Sequence, residues 1–177
     1  MSNRLQIFLV TILLSSLSCT NNRQVDKQYS YFDLEGFFNK EASKLQKSNP
    51  KVSKTVRKNT EIEKRILNIA DWSEELSLFT SSDINKPAWR NSYQEHEKEG
   101  EITYFSTDPK LRTEKILIQR DKNGKIKHIS IVNKVSNSLY SSRETLNYFP
   151  DSLYQIFKEQ KVRLLGQNNY SITGKLK

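Results

Sequence analysis

Few side chains in this 177-residue chain are equipped for chemistry, and their spacing limits what they can do. The single thiol, Cys19, follows an apolar run at residues 7–14 and the small residues Ser15, Ser16 and Ser18, with Arg4 the only positive residue ahead of the run. That is the layout of an export signal ending at a cysteine whose sulfur accepts a lipid. The only imidazoles are His96 and His128, each in an alternating stretch among charged neighbours, which is little material for a Ser-His-acid triad or a His-rich metal site. His128 shares a strand face with Ile126 and reads as a structural residue. Glu95, Glu97, Glu99 and Glu101 recur every second residue and would line one strand face, but Gly100 puts a turn into the row. The five glycines, Gly36, Gly100, Gly124, Gly166 and Gly174, lie too far apart to cradle a phosphate. The expectation is therefore a non-enzyme with no catalytic residue, no metal and no cofactor.

Binding residues gather on loops, and the most distinctive irregular segment is 82–89, Ser-Asp-Ile-Asn-Lys-Pro-Ala-Trp. It makes Asp83, Lys86 and Trp89 the candidate binding loop. The competing reading is that a tryptophan after a proline plugs the loop onto a core.

The apolar run is too short for the roughly 30 Å of hydrocarbon that a spanning helix must cross. Ser16-Leu17-Ser18 also fits an ordinary secretory cleavage site at the same bond. A free thiol left at the first residue of an exported domain would pair at random in an oxidising compartment, whereas acylation accounts for a solitary Cys19. Here the chain resembles bacterial lipoproteins, with Ser16 where their lipobox normally carries leucine and Leu17 one step later. The implied organisation is a signal peptide at 1–18, a flexible polar tether at 19–30 and one domain at 31–177. Each buried methylene contributes about 0.8 kcal/mol, so two or three acyl chains make a constitutive anchor. Surface-exported lipoproteins of the Bacteroidota often carry an acidic run after the cysteine, and Thr20-Asn21-Asn22-Arg23 differs from it. The resemblance thus implies export and lipid anchoring at the periplasmic face of the outer membrane.

The formal net charge is +9, from 29 basic and 20 acidic residues. In an exported chain such an excess points away from nucleic acid and towards anionic lipid, cell-wall polymer or another envelope protein.

The elements that must carry these residues follow from capping and periodicity. Asp33 can cap a helix with Leu34, Phe37, Phe38, Glu41 and Leu45 on one face, stopped by Asn49-Pro50. Val52 and Val56, then Ile62 and Ile66, alternate around Asn59-Thr60 as a half-buried hairpin. Asp71, with Glu74 as capping-box partner, announces a second short helix carrying Trp72, Leu76 and Phe79. Strands are predicted at 92–98, 101–107, 112–121, 125–135, 139–149, 154–165 and 169–176, with turns at Gly100, Asn123-Gly124 and 166–169. In the last strand Tyr170, Ile172, Gly174 and Leu176 share a face. The fold class is α+β: a hairpin plus a C-terminal meander in a curled antiparallel sheet, tending to a half or closed barrel, packed with two short helices.

A second resemblance rests on Tyr31-Phe32-Asp33-Leu34-Glu35-Gly36-Phe37-Phe38, Gln160-Lys161-Val162-Arg163-Leu164-Leu165-Gly166 and Tyr170-Ser171-Ile172-Thr173-Gly174. On these the domain looks like a group of small Bacteroidota lipoproteins whose shared motifs are structural. The leading functional expectation is a membrane-tethered envelope lipoprotein acting as a binding module. The alternative is a carrier of an apolar ligand or acyl chain inside a half-barrel, and a hydrolase stands third.

Overall fold

The computed structural model describes residues 30–177, so the expected signal peptide and the expected tether as far as residue 29 lie outside the described residues. Helix α1, Leu34–Ser48, starts where the Asp33 carboxylate accepts the Gly36 N–H at 2.8 Å. It stops at Asn49, whose φ of 44° and N–H bond to the Leu45 carbonyl close the last turn ahead of Pro50. Leu34, Phe38, Ala42 and Leu45 are its buried stripe. Phe37 is half-buried and packs edge-on against Tyr148, while Glu41 accepts the Tyr148 hydroxyl at 2.7 Å.

A hairpin follows, β1 at Lys51–Lys58 and β2 at Glu61–Asn68, turning at Asn59-Thr60 as expected. Its two apolar sets, however, face opposite ways. Val52 is buried opposite Leu67, whereas Ile62 and Ile66 lie on the other face, 57% and 59% exposed. Alternation gives each arm an apolar side but does not fix whether the two sides coincide. The expected second helix is two single turns, α2 at Trp72–Glu75 and α3 at Ser77–Thr80, broken at Leu76 (φ −97°, ψ 8°). Asp71 caps α2 through the Ser73 and Glu74 N–H groups, and Trp72, Leu76 and Phe79 are fully buried. The break lets all three reach the core. A single 3-10 turn at Pro87–Trp89 precedes the meander.

The meander is β3 Tyr93–Lys98, β4 Glu101–Ser106, β5 Thr113–Arg120, β6 Ile126–Ser136, β7 Tyr140–Phe149, β8 Leu153–Val162 and β9 Gly166–Leu176. The nine strands form one antiparallel sheet in the order β2-β1-β9-β8-β7-β6-β5-β4-β3. The fold is α+β with a curled sheet, and it is open, because β2 and β3 remain as edges rather than pairing into a barrel. The last turn differs from expectation. It occupies 163–165, and Gly166 (φ 81°) already opens β9 opposite Val162. Two leucines at the tip imitate a strand, and the polar Gln167, Asn168 and Asn169 imitate a loop while pairing with Lys161, Gln160 and Glu159.

The helices cover one face only. Ile116, Ile118, Ile129, Ile131, Leu146, Tyr148, Tyr154 and Ile156 point from the sheet into the core. Phe38 meets Tyr148 edge-on at 5.1 Å and lies tilted against Phe79 at 4.9 Å, and Trp72 stands edge-on to Tyr154 at 6.2 Å. Tyr154 lies flat across Gly174, where an added Cβ would fall 2.2 Å from its ring. The ring thereby reaches Glu75 of α2 and donates its hydroxyl to that carboxylate, which is also ion-paired to Lys54 of β1 at 2.7 Å. Overpacking a core costs about 1–3 kcal/mol. Gly174→Ala is expected to cost at least that range's upper end, about 3 kcal/mol, read as a lowered urea midpoint with an unchanged slope.

Candidate interaction surface

The sequence-stated site residues fall in different places. Cys19 lies outside the described residues. Asp83 is 8% exposed and turned inward: its Oδ1 accepts the Leu34 and Glu35 N–H groups at 3.2 and 3.4 Å, and its Oδ2 accepts the Asn85 N–H at 2.9 Å. It fastens the 82–89 loop to the start of α1, where a carboxylate is favoured by the helix dipole. Lys86 is exposed, with Nζ 4.2 Å from the centre of the Trp89 ring, and Trp89 packs partly against the core. The loop thus joins one buried latch to one cation–π pair at the surface.

His128 stacks on Phe149 at 4.3 Å, its ring nitrogens 3.1 Å from the Gln119 and Asn147 side-chain oxygens. His96 stands edge-on to Phe105 at 5.5 Å on strand β3. Gly100 (φ 72°) turns the chain so that Glu101 pairs with Lys98 and accepts from Gln119, on the face opposite Glu95 and Glu97. Among the described residues no group of three His, Cys, Asp or Glu side chains converges as a metal site, and no helix is long and apolar enough to cross a membrane.

Beyond the reach of the helices, the inner face turns from apolar to charged. Glu144 is nearly buried and accepts from Arg112 Nη2 at 2.9 Å and Lys158 Nζ at 3.0 Å. Burial pushes its pKa up, but the hydrogen bonds from Lys158 and Arg112 prevail and hold the carboxyl below its ordinary value. Asn133, opposite Glu144 in the register, donates to Ser82 Oγ at 2.9 Å, which ties the cluster to the loop after α3.

The outer face carries no helix. One cross-strand row runs over the whole sheet: Ile62, Arg57, Ser171, Phe157, Thr145, Val132, Lys115, Phe105 and Gln94 stand side by side from β2 to β3. At about 4.8 Å per strand step the row is roughly 38 Å long. Phe157 and Phe105 are 41% and 40% exposed, and Lys115 Nζ lies 5.2 Å from the Phe105 ring centre. Aromatic rings half in water beside cations are the side chains that interfaces favour. Alternation could have put Phe105 and Phe157 on the same side of their strands, but not shown which side the helices leave open.

No family model, curated protein or solved structure matches this chain.

Asp83→Ala is expected to lower stability by about 1–2 kcal/mol, the usual cost of a lost cap, as measured by denaturation. Glu144 carries a pH signature. Because its folded pKa is depressed, its stabilisation is complete above the unfolded value of about 4.3 and is lost as pH falls through the folded value. Glu144→Gln, which leaves two cations facing a neutral amide, is expected to cost about 2 kcal/mol at neutral pH, discounted from the buried-pair range because both cations are a third exposed. The gap from wild type should narrow below about pH 4, as read from urea midpoints across pH.

Proposed function

We propose that this chain is a membrane-tethered envelope lipoprotein, acylated at Cys19, that acts as a binding module by presenting the uncovered face of its sheet to another envelope component. The observation that carries the reading is the aromatic and basic row on the outer face, left open because the helices all pack on the other side. The filling of the inner face supports a surface role over an internal cavity. Phe38, Leu45, Trp72 and Phe79 are at most 3% exposed and occupy the space under the helices where a carried acyl chain would otherwise sit. Arg57 and Lys115 give the row a positive cast suited to an acidic partner surface.

Two measurements test the reading. A labelled fatty acid fed to cells should appear in the wild-type chain and not in Cys19→Ser; labelling of neither removes the tether. Photo-crosslinking residues placed at Phe157 and Phe105 in intact envelopes should trap one reproducible species, with none trapped from the exposed turn position Lys122. Equal or absent trapping at all three removes the binding face.

A further inference from the structure

The sheet ends in two neighbouring hairpin tips that carry its most exposed aliphatic side chains. Leu164 and Leu165 in the 163–165 turn are 91% and 79% exposed, and Leu139 in the β6–β7 turn is 65% exposed. The tips are joined, since the Arg163 N–H donates to the Leu139 carbonyl at 3.0 Å. The three leucines therefore stand on adjoining tips rather than at scattered surface positions. Such tips standing free in water are unfavourable unless something receives them.

Charge says what receives them. Residues 132–143 and 160–177 contain no Asp or Glu. Lys161 and Arg163 flank the leucines on β8 and its turn, and no ion pair among the described residues engages either. Behind the tips lies a recess of about 320 Å³ lined by Lys161 and Glu159 together with Lys134 and Arg143, both of which are ion-paired to Glu114. Tyr140, one step back from Leu139, adds a ring with a polar end at the depth where headgroups meet acyl chains. An apolar tip inside a basic collar with an aromatic behind it matches an anionic bilayer surface, into which leucines dip while cations meet phosphates.

The reach of the tether agrees. Ser30 is where the described chain begins. Its neighbour Tyr31 donates to the Arg90 carbonyl and packs on Tyr93, whose partner Ser106 leads into the β4–β5 loop, on the same side as the β6–β7 turn. The twelve residues from Cys19 to Ser30 span at most about 40 Å when extended, so tip and acyl anchor can reach one bilayer together.

We infer that the paired tips, Leu139, Leu164 and Leu165 with Lys161 and Arg163, dock on an anionic lipid surface and hold the sheet upright on the membrane. The inference rests on the proposed location at an envelope membrane and adds an orientation to it.

The test uses the full chain with Cys19→Ser, which leaves no native thiol and no acyl anchor. An environment-sensitive dye is attached at Leu164→Cys or, in a separate protein, at Asn123→Cys in the turn at the opposite end of β6, roughly 35 Å away by strand rise. With vesicles of phosphatidylcholine and phosphatidylglycerol, the dye at 164 should shift to the blue and be quenched by lipid-borne quencher, while the dye at 123 stays in water. Lys161→Gln with Arg163→Gln should weaken the 164 signal about tenfold, and added salt should do the same. Leu139→Ser with Leu165→Ser should abolish it while leaving the thermal midpoint unchanged.

A 164 dye that stays in water while the chain sediments with vesicles overturns the inference, as does equal insertion into neutral phosphatidylcholine. So does burial of the dye without lipid together with a doubled mass, which would make the tips a contact between copies. Failed fatty-acid labelling in cells would remove the tether but leave this vesicle result standing, so the two readings fail separately.

Discussion

Tyr154 lying across Gly174 is the contact through which the rest of the structure is joined. The missing side chain at 174 lets an aromatic ring of β8 pass over β9, and the ring's hydroxyl then reaches Glu75 on α2. Glu75 also holds Lys54 of β1. One ring thus links the first strand, the last strand and the helical turns. Burial and the Glu75 carboxylate both push the Tyr154 phenol above its ordinary pKa, so it remains a donor. An acidic partner at the end of a buried ring satisfies the one polar atom that burial would otherwise leave unpaired.

From that joint the division of the sheet into two faces follows. The helical segments are short, and their buried residues, Leu34, Phe38, Leu45, Trp72, Leu76 and Phe79, all reach the same side. They cover the part of the inner face around Tyr148 and Tyr154 and leave the strand ends beyond Glu144 bare. There the sheet exchanges packing for charge, with Glu144 between Arg112 and Lys158. Outside, the whole surface is open. The molecule therefore has a filled core, a charged shoulder, a bare aromatic and basic face, and a pair of apolar tips. The proposed binding and membrane roles fall on the last two because those are the apolar surfaces that folding leaves in water.

Polar residues within the fold serve mainly as fasteners. Asp83 closes the α1 N-terminus, Glu41 receives Tyr148, and the side-chain amides of Gln119 and Asn147 hold His128. A residue such as Asp83 is ambiguous in sequence, because a loop carboxylate beside lysine and tryptophan has the same spelling whether it faces a ligand or a helix end. The lysine and tryptophan of that loop meet each other at the surface, while the aspartate serves the helix.

What the sequence determined by itself is local. Caps at Asp33 and Asp71, the stop at Asn49, the β1–β2 turn and the alternation of Tyr170, Ile172, Gly174 and Leu176 arise from contacts a few residues apart, whose physics is complete within the segment. Tertiary structure decided which side of each strand is covered, the pairing of β1 with β9 across more than a hundred residues, and the meeting of Leu139 with Arg163. It also set the last turn at 163–165, where the solvent-exposed Leu164-Leu165 and the paired polar residues after them reverse the usual correspondence of apolar with strand and polar with loop. An alternating pattern specifies that a strand has two faces, but only the arrival of helices from elsewhere in the chain selects the one that leaves water.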